Sequence, residues 1–274
     1  MSYLPAAIAI AWGLLVGGCA SIPGQGSQAG FGHRIGLPNS WQQLGQAAKQ
    51  AALQPGVLWP LAGAATLGIS GLDDDISEWA SEERPVFGSN AARASDRLLD
   101  VSRAGLLVSG AFAPAQNHGD RLRGVGVEAT TVLISGGLAE GLKSITRRRR
   151  PNGRNRNSLP SGHATQAAAS NHLWRANLRE YPIGTGAQRI LGAATHTLTF
   201  ATSWARIEAN AHHPSDVLVG VAIGNFIADF LRISVLEAKS TKQESELAIE
   251  VVPRGAVLKF QRTLGARTQA KVWP

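Results

Sequence analysis

Through most of the chain, apolar side chains return at helical spacing. From about Trp41 to about Lys239 they recur every three to four residues, the spacing that places them on one face of a helix. Polar and Gly/Pro clusters break the pattern at Gln54-Pro55-Gly56, Glu83-Arg84-Pro85, Asn117-His118-Gly119, Arg150 to Pro160, Tyr181 to Gly186 and His213-Pro214. This predicts an all-α bundle of about six main helices. Beyond it the period changes: Leu247 to Val252 and Ala256 to Phe260 read as two strands around Pro253-Arg254-Gly255, a small C-terminal β-hairpin. A lone hairpin is marginal in water, so it is expected to lean on the bundle or pair elsewhere.

Apolar runs at Val57 to Leu72, Ala104 to Ala115, Val125 to Leu142, Ile190 to Trp204 and Val217 to Leu231 fall short of the roughly 18 to 20 uninterrupted apolar residues of a membrane span. Glu128, His196 and Asp229 interrupt them, and the mean hydropathy of −0.04 is low for a polytopic membrane protein. Buried helices of a globular bundle, rich in Ala and Gly where helices approach closely, account for them. Trp59, Trp79, Trp174 and Trp204 read as core.

The N-terminus is different. An apolar stretch from Leu4 to Gly18 ends in small residues directly before Cys19, the pattern of a bacterial lipoprotein signal, although Met1-Ser2-Tyr3 carries no Lys or Arg. Cleavage there makes Cys19 a lipidated first residue. Ser21 to Pro38 has the Gly, Gln, Ser and Pro content of a flexible tether. The expected organisation is a signal peptide over 1–18, a lipidated tether over 19–40, a helical domain over 41–240 and a hairpin with tail over 241–274. The place would be the bacterial envelope, facing the periplasm, with the outer membrane preferred because Ala20 stands where an aspartate often marks inner-membrane retention.

Charge narrows the partners. With 27 Lys and Arg against 19 Asp and Glu, the net +8 points to phosphate esters, anionic head groups or nucleic acid. The single cysteine excludes an intramolecular disulfide and a cysteine-based metal site.

Three segments gather polar groups that an apolar helical protein would not otherwise place together. In the first, Lys143 and Arg150 lie seven residues apart, two helical turns, so both are expected on one face of a helix ended by Pro151. Alone, Arg147 to Arg150 is equally a solvated, membrane-surface or nucleic-acid patch. In the second, Pro160-Ser161-Gly162-His163 opens a helix with Ser161 or a neighbour at the N-cap. Backbone amides and the helix N-terminus favour an anion there, with His163 as a titratable group at its edge. Alone, this is also a well-capped helix. The third runs from Arg206 to His212, His213, Pro214 and Asp216. Asp216 falls in the first turn of the next helix, within reach of His212, where it can hold one imidazole nitrogen as N–H and leave the other free to attack. The plainer readings are helix capping for Asp216 and a metal pair or loop histidines for His212 and His213, though no clustered ligands complete a metal set. Asp73-Asp74-Asp75 reads as a helix start.

Together these segments resemble the three-part signature of the type 2 phosphatidic acid phosphatase superfamily, which also includes class A acid phosphatases and vanadium haloperoxidases. Lys143 with six residues before Arg150-Pro151 matches the first part, Pro160 to His163 the second, and Arg206 with five residues before His212 and three before Asp216 the third. The family usually has Ser before that arginine; here Ala205 removes a hydroxyl. The resemblance implies a helical bundle, His212 as a nucleophile forming a phosphohistidine, Asp216 orienting it, and His163 protonating the leaving group. Lys143, Arg150 and Arg206, with amides near Ser161 and Gly162, would bind the phosphoryl oxygens without a metal or other cofactor.

The function expected on this basis is hydrolysis of membrane-lipid phosphomonoesters or pyrophosphates. A periplasmic acid phosphatase on soluble esters, a vanadate-dependent haloperoxidase and a noncatalytic envelope lipoprotein are the alternatives. Export argues against nucleic acid as a partner, and the sequence leaves the oligomeric state open.

Overall fold

A computed structural model describes residues 31–32, 38, 40–236, 245–252 and 255–262. The signal, Cys19 and nearly all of the tether lie outside the described residues. The helices of the body are α1 (Trp41–Ala52), α2 (Pro55–Ser70), α3 (Leu72–Glu83), α4 (Ala91–Ala111), α5 (His118–Thr146), α6 (Gly162–Glu180), α7 (Thr185–Glu208) and α8 (Pro214–Leu231). A short 3-10 turn precedes α4, and one π-turn over Arg232–Leu236 follows α8.

The expectation of about six main helices is therefore corrected to eight among the described residues. The break that sequence reading passed over is Gly71, with φ +78°, which ends α2 in the left-handed region and starts α3 at the next residue. Only glycine enters that region without a Cβ penalty, so a single residue turns the chain with no Pro or polar cluster to announce it.

The hairpin is corrected as well. The described helical body contains no strand, and the strands β1 (Ser245–Val252) and β2 (Gly255–Arg262) belong to a separate unit, residues 239–274, where they pair antiparallel from Ser245 opposite Arg262 to Val252 opposite Gly255.

Local chemistry sets the helix ends. Ser40 and Asn117 cap α1 and α5 by accepting from the backbone N–H groups of Gln43 and Asp120, and Pro55 and Pro214 occupy first turns. At the centre α6 packs on α8 through almost nothing but small residues. Ala164, Ala168, Val217 and Val221 join Ala80, Trp204 and Ile207 in one buried cluster, with Trp79, Phe87 and Phe200 against it. Leu106, Val132, Ala169, Leu173 and Ala228 form a second cluster, covered by Trp174. Trp59 departs from expectation: it is about half exposed, at 49%. Gly220 and Gly224 of α8 face the backbone of α6 so closely that an added Cβ on Gly220 would lie 2.7 Å from the Ser161 carbonyl oxygen. Two helix N-termini, those of α6 and α8, are thereby held side by side.

Candidate active site

The three sequence segments meet at one end of this pair, joined by backbone hydrogen bonds. Ser158 N–H donates to the Arg148 carbonyl (3.0 Å), Ser161 N–H to the Asp216 carbonyl (3.0 Å), and Asn152 N–H to the Asn210 carbonyl (3.2 Å). Each bond links a different two of the three segments.

Lys143 sits buried in the last turn of α5, its Nζ 2.5 Å from Glu140 Oε1 and within 3.3 Å of where a Cβ on Gly162 would stand. The shared helical face predicted for Lys143 and Arg150 is not found. Arg147, with φ +46°, caps α5 in the left-handed region, and Arg150 lies in the following loop. The loop, not helical period, brings Arg150 to the site: Arg150, Lys143 and Arg206 all lie near enough to His212 to act on its titration.

Ser161 is the N-cap of α6, and His163 follows in its first turn with Nε2 2.8 Å from Asp96 Oδ1 on α4. Arg206, in the last turn of α7, donates from Nη1 to Ser95 Oγ (3.2 Å). The Nε of Arg150 and the Nε of Arg206 are buried with no hydrogen-bond partner among the described residues. Burial, and then Arg150, hold the Arg206 guanidinium below its ordinary pKa. Two such guanidiniums together are electrostatically costly unless an anion joins them, and a phosphoryl group supplies oxygens for both forks.

His212 is almost wholly buried beside them. Burial first, then Arg206 and Arg150, keep its imidazole well below the usual range, so the ring is neutral at ordinary pH. Its Nδ1 donates to the Ser158 carbonyl oxygen at 2.6 Å, because a carbonyl can only accept; that leaves the lone pair on Nε2. The expected direct contact with Asp216 is replaced by a 3.9 Å separation. Asp216 accepts instead from Ser158 Oγ (2.5 Å), His213 N–H (2.9 Å) and Arg148 Nη1 (2.8 Å), and so also caps α8. Burial pushes its carboxyl up, against these donors. His163 is held low, by burial first and then by Arg206, opposed by Asp96.

Four contributors were not singled out by sequence. Arg148, read as part of a basic run, bridges Asp216 and Asp73, donating to Asp73 Oδ2 at 2.6 Å. Asp73, read as a helix start, is buried and accepts from Ser215 N–H (2.7 Å) as well. Ser158 joins Asp216 to His212, and Asp96 faces His163. A buried Asp in a first turn looks the same in sequence as an exposed one; only the 142-residue jump from Asp73 to Ser215 distinguishes it.

A neutral buried imidazole with one nitrogen available, ringed by cations at paired helix N-termini on an all-helical bundle, is an arrangement suited to phosphoryl chemistry. Residues 126–239 match the model of the PAP2 superfamily, a stretch that includes all three segments. Among solved structures, the chain is similar to one described as the first transmembrane PAP2-type phosphatidylglycerolphosphate phosphatase from Bacillus subtilis. Identity is 20% over 64% of this chain and 91% of that one, with a TM-score of 0.47, a likeness too distant to bear on function. No curated protein matches the chain.

Proposed function

We propose that the chain hydrolyses phosphate esters or pyrophosphates of membrane lipids through a phosphohistidine on His212. The observation that carries the reading is the neutral His212 ring with Nδ1–H on the Ser158 carbonyl, set among Lys143, Arg150 and Arg206. In the first step the Nε2 lone pair of His212 forms a bond to phosphorus as the ester P–O bond breaks, and His163 gives its proton to the departing oxygen. In the second, water attacks phosphorus, His163 takes the water's proton, and the N–P bond breaks to release inorganic phosphate. Lys143, Arg150, Arg206 and the amides at the start of α6 stabilise the charge on the equatorial oxygens throughout. Asp216 acts on the nucleophile through Ser158.

A lipid substrate is supported by the surface. The exposed face of α2, which has no charged residue from Pro55 to Ser70, presents Leu58, Trp59, Leu61 and Ile69. Val101 and Val108 of α4, Phe112 just past its end, and Leu133, Ile134 and Leu138 of α5 are exposed too. Large apolar side chains exposed on several helices fit a membrane better than water. Among the described residues, one helical stretch, Pro214–Leu236, is long and apolar enough to cross a bilayer, and 56% of its window is buried in the protein. The proposal is thus membrane association by exposed helix faces, reinforced by a lipid on Cys19 and directed to the periplasmic side of the envelope.

The test is phosphate release by the purified chain from a panel of lipid phosphates in detergent and of soluble phosphomonoesters, with His212→Ala alongside. His212-dependent release favouring the lipids is the expected result. Preference for soluble esters would move the reading to an acid phosphatase, and no His212-dependent release from folded protein would end it.

A further inference from the structure

Asp216 is completely buried, and every oxygen it offers is already engaged. Oδ2 accepts from Ser158 Oγ at 2.5 Å and from His213 N–H at 2.9 Å, and Oδ1 accepts from Arg148 Nη1 at 2.8 Å. Behind Arg148, Asp73 accepts from Nη2 at 2.6 Å and is itself fixed by Ser215. What reaches His212 is Ser158: its carbonyl oxygen lies 2.6 Å from Nδ1, whereas the nearest Asp216 oxygen is 3.9 Å away. Ser158 is fully buried and held at two further points, its N–H on the Arg148 carbonyl and its hydroxyl on Asp216.

We propose that Ser158 is the positioning residue of the nucleophile, its hydroxyl locked by the Asp216–Arg148–Asp73 clamp so that its main-chain carbonyl holds the His212 ring with Nδ1 protonated and Nε2 exposed for attack. This rests on the reading of His212 as nucleophile.

The choice of a carbonyl has a chemical consequence. A carboxylate in direct contact fixes the same tautomer but also stabilises the imidazolium, which cannot attack phosphorus. A neutral carbonyl fixes the tautomer with less of that stabilisation. The charged groups around the ring are Arg206 from α7, Arg150 from the loop after α5, Lys143 from α5 and Asp216 from α8, with Arg148 and His213 facing Asp216. The three cations oppose protonation, and the one carboxylate that would favour it is occupied by Ser158, His213 and Arg148.

Removing the hydroxyl with Ser158→Ala keeps the carbonyl but takes from Oδ2 the shorter of its two donors, leaving a lone pair that can then turn to Nδ1. The expected result is a kcat lowered on the order of ten- to a hundredfold, the scale for losing a partner that orients a reactive imidazole, with KM nearly unchanged because no phosphate-binding cation is touched. The acidic limb of the pH profile should move to higher pH, because a carboxylate lone pair turned to the ring favours the imidazolium. Ser158→Thr, which restores a hydroxyl, should recover the wild-type limb.

The decisive readout does not need activity: 15N NMR of histidine-labelled protein reports the tautomer of each ring. In Asp216→Asn the His212 ring should stay protonated at Nδ1, since its acceptor is the Ser158 carbonyl. A switch to the Nε2–H tautomer in Asp216→Asn, or a Ser158→Ala protein with wild-type kcat and pH limb, would overturn the proposal. If wild-type protein releases no phosphate, the nucleophile reading fails by itself, and the NMR arm still decides whether Ser158 holds the ring.

Discussion

The contact between α6 and α8 sets the distance between His163, one residue into α6, and His212, two residues before α8 begins, and Gly224→Ala perturbs it most directly. A Cβ on Gly224 would stand 2.9 Å from Ala168 Cβ and 3.0 Å from Ala169 N, and closer still to the Thr165 carbonyl oxygen. Normal carbon contacts begin near 3.5 Å, and these neighbours are helix backbone and a methyl group, with no rotamer to yield. The helices must separate locally. Overpacking of this kind costs about 1–3 kcal/mol, and rigid neighbours place it at the upper end. Alanine's better helix propensity returns about 1 kcal/mol, which leaves a net loss of about 2 kcal/mol. For a domain of this size that lowers Tm by roughly 4–8 °C. Catalysis should suffer more, since a misplacement of about 1 Å between reacting groups costs on the order of a hundredfold. Gly137→Ala in α5 is the matched control, because nothing lies within 4 Å of its Cβ position; it should gain about 1 kcal/mol by propensity alone. Thermal unfolding by circular dichroism and phosphate release would be measured on both. A Gly224→Ala protein as stable and active as Gly137→Ala would refute the view that α6–α8 contact sets the site.

Two further outcomes follow from buried and catalytic charge. Burial raises the Glu128 carboxyl from 4.5 to about 8, Asn177 opposing, and Oε1 has no partner among the described residues. The neutral form is therefore favoured by folding: its stabilisation is complete below pH 4.5 and is lost as pH rises toward 8. At pH 7 the lost stability is on the order of 3 kcal/mol, so Glu128→Gln should melt higher than wild type at pH 7–8, with the gap closing near pH 4; a pH-independent gap would contradict this. Arg206→Lys keeps the charge but loses the planar fork, including the buried Nε, and should lower kcat/KM on the order of a hundredfold; wild-type kinetics would remove Arg206 from the phosphate site.

Much of this site was legible in sequence because its chemistry is carried by residue types at short, fixed spacing. His212, Pro214 and Asp216 fall into one helix start, and Pro160 to His163 into another, whatever the rest of the fold does. The geometry between segments was not legible. Arg150 was placed on a helix by period alone, but the chain leaves the helix at Arg147 in a left-handed conformation, a choice set by the loop it enters. Asp73 and Arg148 belong to an acidic and a basic run whose other members are mostly exposed, so composition suggested solvated faces; only tertiary pairing singles them out. Asp216 was expected on His212 because the two are four residues apart, and the structure inserts Ser158 between them from another segment. The helix count failed at Gly71 for a related reason: one glycine with positive φ makes a corner without the polar cluster that marks the other breaks.

The central claim is that His212 Nε2 takes the phosphoryl group. The direct measurement is rapid quench at alkaline pH with a radiolabelled phosphate ester, followed by peptide mapping of the labelled chain. An acid-labile, base-stable phosphate on His212, absent in His212→Ala, is the result the account requires. A folded His212→Ala protein that still releases phosphate, or label that maps to any other residue, would contradict it.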